Sequence, residues 1–266
     1  MTELHWLPEI PDWRARLRGL ASEPGTLWDN AVALAGARIN FVLTNALDET
    51  LRRLLSRAPE GLPTTPVRLA VLGSSTLTHL LPSIRVAGLR RNIWIDTYEN
   101  DYGQYWQELS DPGSALHEFG PTAVLLALDA HDLTAGVTAS MDAEAAEVTM
   151  AEVTDRIRAS WRLARETLHC PVLHQAALPL HLPLLGNNEH RLAGSRAAFL
   201  RRLNACVRTM AEAEGVDIIA IDDRAATDGL RAWHDPGLWH RAKQEISHTA
   251  APMYGDLVGR WVAAKQ

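Results

Sequence analysis

The chain has 266 residues, of which 47% are apolar and 22% are charged. This composition is typical of globular proteins and excludes a chain that is mainly disordered. The formal net charge is −6, with 26 basic against 32 acidic residues. The chain therefore lacks the basic excess with which proteins bind nucleic acid or an anionic membrane surface, and we expect neither as a partner.

The two cysteines, Cys170 and Cys206, are too far apart in sequence for a zinc knuckle or a CxxC redox pair. We predict no metal site and no cofactor, and a reducing environment. The first residues mix acidic residues and proline with apolar ones, and no apolar run is long enough to span a bilayer. These features together predict a soluble, cytoplasmic protein.

The first 65 residues are predicted to be helical, because apolar residues recur at helical spacing between residues 27 and 47 and again up to Leu55. The segment 59–66 contains three prolines and a glycine, which end this pattern. We therefore place a boundary between a helical region, residues 1–65, and an α/β domain, residues 66–266. The helical region needs a partner surface for its apolar stripe, so we expect it to pack on the core.

Beyond Pro66, short apolar runs alternate with helical segments, which is typical of βαβ units on a parallel sheet. The pattern predicts an α/β protein with a five-stranded parallel sheet and an N-terminal helical extension. The predicted strands are 67–72, 92–97, 123–128, 171–174 and 217–221, and the predicted helices lie around 76–88, 104–118, 142–168, 195–214 and 250–263.

The first predicted strand is followed by Gly73-Ser74-Ser75-Thr76. Ligand sites of open parallel sheets lie beyond the carboxyl ends of the strands. A serine at a helix start there lies beside free backbone N–H groups that can stabilise an oxyanion. Two interpretations stay open at this point: Ser74 or Ser75 is a nucleophile, or it is an N-cap of the next helix.

A serine nucleophile needs a base, and the base usually needs a carboxylate to orient it. Glu245 stands three residues before His248, just ahead of the last predicted helix. This pair is able to act as orienter and base. The local sequence by itself favours a surface histidine and a solvated acid, because such a pair is common in a chain with 11 histidines.

Two further sets of polar residues are candidate substrate contacts. The histidines His174, His181 and His190 lack the compact spacing of a metal site, so they contact the substrate or have no role in the site. The segment Gly186-Asn187-Asn188-Glu189 is first of all a predicted turn.

The Gly-x-Ser-Thr turn and the acid-x-x-His segment resemble the SGNH (GDSL-type) hydrolase superfamily of esterases, lipases and acyltransferases. More closely, the chain is similar almost end to end to the N-terminal region of FkbH-like proteins. The resemblance implies a flavodoxin-like three-layer fold. The segments that carry the similarity are residues 6–8, 68–76, 102–109, 114–121, 126–133 and 239–244.

The superfamily pattern implies that Ser75 is the nucleophile, His248 the base and Glu245 the third member of the triad. The superfamily more often has Asp in the place of Glu245. Ser74 stands where it usually has the Asp of Gly-Asp-Ser.

The resemblance also implies an oxyanion site. Gly103 stands in the place of the oxyanion glycine, and the usual Asn of the third block is replaced within the loop that contains Asp129 and His131. An acid is a poor oxyanion donor unless it is protonated. The implied oxyanion and substrate-binding residues are Ser74, Gly103, Asp129, His131 and Asn187.

FkbH-like proteins normally continue into a haloacid-dehalogenase-type domain, and they are implicated in loading a glyceryl unit onto an acyl carrier protein. This sequence lacks the Asp-x-Asp-x-Thr motif of that domain, so we do not expect a phosphatase. The resemblance implies a serine-dependent hydrolase or acyltransferase in polyketide or non-ribosomal peptide biosynthesis. Its substrate would be an acyl or glyceryl group on a small molecule or on an acyl carrier protein. The alternative is a non-catalytic module that docks the carrier protein or its phosphopantetheine arm.

Overall fold

The computed structural model describes residues 4–22 and 24–266, and five parallel strands form a sheet in it. The strands are Val67–Gly73 (β1), Ile95–Glu99 (β2), Ala123–Ala127 (β3), Val172–Gln175 (β4) and Asp217–Ile219 (β5). Their order across the sheet is β2-β1-β3-β4-β5. This is the order of flavodoxin-like folds, and it confirms the predicted fold class.

Strands β3 and β4 are buried along their whole length, which explains why β3 is a continuous apolar run and why β4 does not alternate between apolar and exposed residues. In their parallel register, Val124 lies opposite Val172 and Leu126 lies opposite His174. The loops that follow the two strands therefore begin at the same edge of the sheet.

The described ranges also contain thirteen α-helices, and none of these is both long and apolar enough to cross a bilayer. The two longest, Ala143–Thr167 and Arg196–Glu214, confirm the predictions for 142–168 and 195–214. The helices are Trp13–Gly19 (α1), Leu27–Ala35 (α2), Phe41–Leu54 (α3), Leu81–Leu89 (α4), Tyr105–Ser110 (α5), Ala115–Phe119 (α6), Ala130–Leu133 (α7), Ala143–Thr167 (α8), Arg196–Glu214 (α9), Ile221–Asp228 (α10), Leu230–Trp233 (α11), Pro236–Ala242 (α12) and Ala251–Ala264 (α13).

The predicted helix over 104–118 is wrong as a single element. The segment forms α5 and α6, with a turn between them at Asp111-Pro112-Gly113. The carboxylate of Asp111 accepts a hydrogen bond from the N–H of Gly113 at 2.9 Å and stabilises this turn. The proline and the glycine prevent the helix from continuing.

The predicted start of the second strand at residue 92 is also wrong. Asn92 has a φ of 57°, and the N–H of Ile93 donates to the carbonyl of Gly88 at 2.9 Å. These residues therefore finish the turn that ends α4, and extended backbone begins at Ile95.

The N-terminal apolar stripe is divided between two helices, α2 and α3. Asn40 starts α3, because its side-chain oxygen accepts a hydrogen bond from the N–H of Leu43 at 3.0 Å. The buried faces of these helices share an apolar cluster with Val86 and Leu89 of α4. The stripe thus finds its partner surface on a helix from the α/β part of the sequence.

The described residues divide into two compact units. The first unit comprises the residues up to 69, 77–97 and 231–266, and the second comprises 70–76 and 98–230. Ser74 and Ser75 belong to the second unit, whereas Glu245 and His248 belong to the first. The dependence of region 1–65 on the rest of the chain stays a prediction, and residues 1–3 and 23 of that region lie outside the described ones.

Two substitutions in α3 test how much the cluster of the first unit contributes to stability. Leu47 is fully buried in the cluster, whereas Val42 is 63% exposed on the same helix. Replacing Leu47 with Ala should lower the free energy of unfolding by about 2–5 kcal/mol, because it leaves a cavity. Replacing Val42 with Ala should change it by no more than about 0.5 kcal/mol. Urea unfolding of both variants measures the two changes in the free energy of unfolding. Equal losses in the two variants would contradict the packing of Leu47 in this cluster.

Candidate active site

The turn after β1 is tied to the loop after β3 by Ser74 and Asp129, which are both buried. The hydroxyl of Ser74 donates to Oδ2 of Asp129 at 2.5 Å and accepts a hydrogen bond from the Asp129 backbone N–H at 2.9 Å. The proton and a lone pair of this hydroxyl are therefore both engaged. Ser74 holds the two loops together, and Ser75 follows it in the turn.

Ser75 is only 4% exposed. The residues after it become helical at Thr78, in a 3₁₀ turn that leads into α4. The N-cap of this turn is Leu77, and the N-cap of α4 is Leu80. The interpretation of Ser74 or Ser75 as an N-cap of the next helix is therefore wrong.

Asp129 also begins the short helix α7. Its Oδ1 accepts hydrogen bonds from the backbone N–H groups of His131 at 2.9 Å and Asp132 at 3.1 Å. These contacts use the carboxylate as an acceptor, whereas an oxyanion requires donors. For an oxyanion at this edge of the sheet, donors must come from backbone N–H groups or from other side chains.

Asn100 is a buried residue of this region that no motif in the sequence indicated. Its Oδ1 accepts a hydrogen bond from the N–H of Gly73 at 2.8 Å, and its Nδ2 donates to the carbonyl of Gly73 at 3.0 Å. The side chain thus holds both backbone polar groups of Gly73, the last residue of β1, just before the serine pair. Its position directly after β2 was the available signal, but the partner of the amide was not readable from the sequence.

Gly103, the predicted oxyanion glycine, lies in an exposed loop after β2. Its φ is 72°, a left-handed conformation that glycine adopts without strain. The left-handed conformation explains why this position has a glycine. The oxyanion role of Gly103 stays a prediction.

The half-buried ring of His131 contacts the ring of His181 edge to face, with centroids 5.5 Å apart. The Nε2 of His181 lies 2.8 Å from the hydroxyl of Thr134. Burial is the main reason why the pKa of His181 is lowered. His131 follows the residue Asp129, whose side chain caps the start of α7. A substrate contact through His131 stays a prediction.

The other predicted contacts lie in different surroundings. His174 is buried within β4, where its Nδ1 accepts a hydrogen bond from Nε1 of Trp161 at 3.2 Å. Burial lowers the pKa of His174 to about 3, so it is a neutral core residue. Asn187 and His190 are exposed in the 3₁₀ turn Gly186–Arg191, which confirms the predicted turn. A substrate contact through Asn187 stays a prediction.

In the first unit, the half-buried ring of His248 has three neighbours. Its Nε2 donates to Oε1 of Gln244 at 3.1 Å. One face lies flat against Phe41, with centroids 4.3 Å apart and planes 6° apart, and the ring of His79 is tilted toward it at 5.6 Å. No motif in the sequence indicated Gln244 or Phe41 as part of the site. A spacing of four residues was the available signal for Gln244, and no local signal pointed to Phe41.

Glu245, the predicted orienter, is buried. The pKa of Tyr254 is raised by burial and, to a smaller extent, by the negative charge of Glu245. Glu245 therefore exerts its charge on Tyr254, and the hydrogen bond of the His248 ring goes to Gln244. The role of Glu245 toward His248 stays a prediction.

The five-stranded parallel sheet and its strand order define an α/β module of flavodoxin-like topology, with a serine pair directly after its first strand. The family model described as "FkbH, N-terminal domain" matches residues 68–258, which include Ser75, Glu245 and His248. The chain belongs to this family, as the resemblance of its sequence segments predicted. No curated protein matches the chain.

Solved structures show a similar fold. The N-terminal part of a Bacteroides fragilis protein, containing a phosphatase domain and complexed with Mg, has a TM-score of 0.71 and 18% identity over 86% of this chain. The chain spans 57% of that structure's length. Weaker likenesses are to a putative acylhydrolase from Bacteroides fragilis (TM-score 0.46, 11% identity, 82% of this chain and 95% of that one) and a putative lipolytic protein of the G-D-S-L family from Desulfitobacterium hafniense (0.44, 12%, 73% and 98%).

Proposed function

We propose that the chain is a serine-dependent acyl hydrolase or acyltransferase in which Ser75 is the nucleophile. The observation that carries this proposal is the buried tie between Ser74 and Asp129, which engages the first serine of the pair and fixes the turn. Membership of the FkbH N-terminal family supports it, since the matched residues include both Ser75 and His248.

In the proposed reaction, the Ser75 oxygen forms a bond to the carbonyl carbon of an ester or thioester while His248 takes the serine proton. The bond from carbon to the leaving oxygen or sulfur then breaks, and the proton passes to the leaving group. Water or an acceptor hydroxyl or thiol releases the acyl group in the second half of the reaction. Gln244 orients the imidazole in the free protein, and Glu245 contributes a buried negative charge.

The proposed substrate is an acyl or glyceryl group on a small molecule or on the phosphopantetheine arm of an acyl carrier protein, in polyketide or non-ribosomal peptide biosynthesis. The resemblance to FkbH-like proteins supports this choice. It makes an acyl carrier protein the proposed partner.

A second candidate is a non-catalytic module that docks the carrier protein or its arm. The hydrogen bond from His248 to the neutral amide of Gln244 favours this candidate, because a catalytic histidine is usually oriented by a carboxylate.

A fluorophosphonate probe distinguishes the two candidates. Replacing Ser75 with Ala should abolish labelling, because it removes the attacking oxygen. Replacing Ser74 with Ala removes the tie to Asp129 but keeps the nucleophile, so this variant should still be labelled, at a lower rate. Mass spectrometry of the labelled wild type should place the probe on Ser75.

A probe found on Ser74, or equal labelling of the Ser75→Ala variant, would overturn the assignment of the nucleophile. Absence of labelling in the wild type, when a known esterase is labelled under the same conditions, would favour the docking module. In that case, binding of pantetheine should be the same in the wild type and in Ser75→Ala.

A further inference from the structure

The backbone that carries His248 is anchored at three consecutive residues. His234 donates from Nδ1 to the carbonyl of Glu245 at 2.7 Å, and His79 donates from Nε2 to the carbonyl of Ile246 at 2.8 Å. Ser247 donates from its hydroxyl and from its backbone N–H to carbonyls of helix α11. The position of the His248 backbone is therefore fixed, and its remaining freedom lies in the side chain.

A single hydrogen bond does not define the plane of an imidazole ring. The bond from Nε2 to Gln244 fixes one ring atom, but the ring can still turn about the bond that joins it to Cβ. The parallel contact with the ring of Phe41 removes this freedom, because turning would drive the edge of the imidazole into the phenyl face.

Phe41 is itself held in a defined place. It is the first residue of α3, directly after the capping residue Asn40, so the start of the helix sets its position. Phe41 lies outside the family match, which begins at residue 68. The contact with His248 therefore comes from the N-terminal helical region.

We propose that Phe41 is a positioning residue for His248, and that the N-terminal helical region completes the candidate site through it. The ring of Phe41 sets the plane in which the imidazole presents its nitrogens. The effect on catalysis rests on the proposed function, whereas the effect on the imidazole ring does not.

The surroundings are compatible with a positive charge on His248 during the reaction. The face of a phenyl ring attracts a cation. Burial lowers the pKa of His79 to about 4, against a smaller opposing effect of its hydrogen bond to Ile246. His79 is thus neutral near pH 7 and does not repel an imidazolium at His248.

Three variants test the positioning role through the rate at which the fluorophosphonate labels Ser75. Phe41→Leu keeps an apolar side chain but loses the flat face, and it should slow labelling by about 10- to 100-fold. Phe41→Tyr keeps the face and should label at nearly the wild-type rate. Phe119→Leu is the matched control, because Phe119 is also partly buried and its ring also packs against an aromatic ring, that of Tyr98, and it should not change the rate. Labelling of Phe41→Leu at the wild-type rate would overturn the proposal.

Carbethoxylation of His248 by diethyl pyrocarbonate, followed by mass spectrometry, tests the same contact without any catalytic activity. Phe41→Leu should raise the rate at His248 by about two- to fivefold, because the freed ring can turn its nitrogens toward the reagent, and Phe41→Tyr should not. If the wild type is not labelled by the fluorophosphonate, the proposed function fails and this second measurement decides the role of Phe41. An unchanged carbethoxylation rate in Phe41→Leu, with an unchanged melting temperature, would then overturn it.

Discussion

A chain that starts at residue 66 should lose cooperative unfolding or melt far below the full-length protein. In the full chain, the helices before residue 66 cover Val86 and Leu89 of α4. Removal of residues 1–65 would expose these side chains and would also take away polar partners of α4. The carboxylate of Asp48 binds Arg85 through two hydrogen bonds of 2.7 and 2.6 Å, and the carbonyl of Ala35 accepts one from Arg90 at 2.8 Å.

The size of this effect follows from the large buried side chains that the truncation removes. Each large apolar side chain contributes about 1.5–3 kcal/mol when it is fully buried. The total stability of a protein is only about 5–15 kcal/mol. Loss of this cluster is therefore expected to remove a large part of the free energy of unfolding. The large buried side chains of the cluster before residue 66 are Trp13, Leu20, Leu34, Ile39, Leu47 and Leu51.

Thermal unfolding followed by far-ultraviolet circular dichroism measures this prediction, with the full-length chain as the reference. The Leu47→Ala variant provides an intermediate point, because it disturbs the same cluster without shortening the chain. A 66–266 chain that melts cooperatively at the temperature of the full-length protein would show that region 1–65 is not needed by the α/β part.

The sheet was predictable because short apolar runs, such as residues 69–72 in β1 and the whole of β3, lie between turn signals. The serine pair was predictable because ligand sites follow the carboxyl ends of such strands, and Gly73-Ser74-Ser75 ends the first run. The end of α9 at Gly215, with a φ of 65°, likewise has a local cause that the sequence displays.

The missed features depend on partners that are distant in sequence. Asn100 holds Gly73, which is 27 residues away, and Phe41 lies against His248, which follows it by more than two hundred residues. No periodicity or spacing rule connects such pairs. The helices α11 and α12 were missed for a different reason: they are short, and their signals are single residues, such as Asp235 and Pro236 at the start of α12.

A single substitution of Asp256 should strongly lower the stability of the protein. Its buried carboxylate receives three guanidinium groups: Arg90 at 2.6 Å and Arg91 at 2.8 Å on Oδ1, and Arg260 at 2.8 Å on Oδ2. The side chains of Arg90 and Arg91 are themselves largely buried. Burial acts to raise the pKa of Asp256, but the hydrogen bonds and charges of the arginines outweigh it and lower the pKa below its usual value.

Replacing Asp256 with Asn should lower the free energy of unfolding at pH 7 by about 3–5 kcal/mol, because it leaves three positive charges together without the carboxylate that they share. Asp155→Asn is the matched control: Asp155 pairs with Arg158 at 2.9 Å but is 73% exposed, so its loss should cost no more than about 1 kcal/mol.

Because the pKa of Asp256 is lower in the folded than in the unfolded chain, its stabilising effect is complete above about pH 4 and is lost as the pH falls through the folded value. Urea unfolding of the wild type and of both variants should be measured between pH 3 and pH 7, a range that includes the pKa of about 3.9 of an Asp residue in an unfolded chain. The difference in the free energy of unfolding between the wild type and Asp256→Asn should become smaller toward low pH. If this difference in the free energy of unfolding is small at pH 7, or stays constant down to pH 3, the Asp256 carboxylate does not stabilise the three arginines.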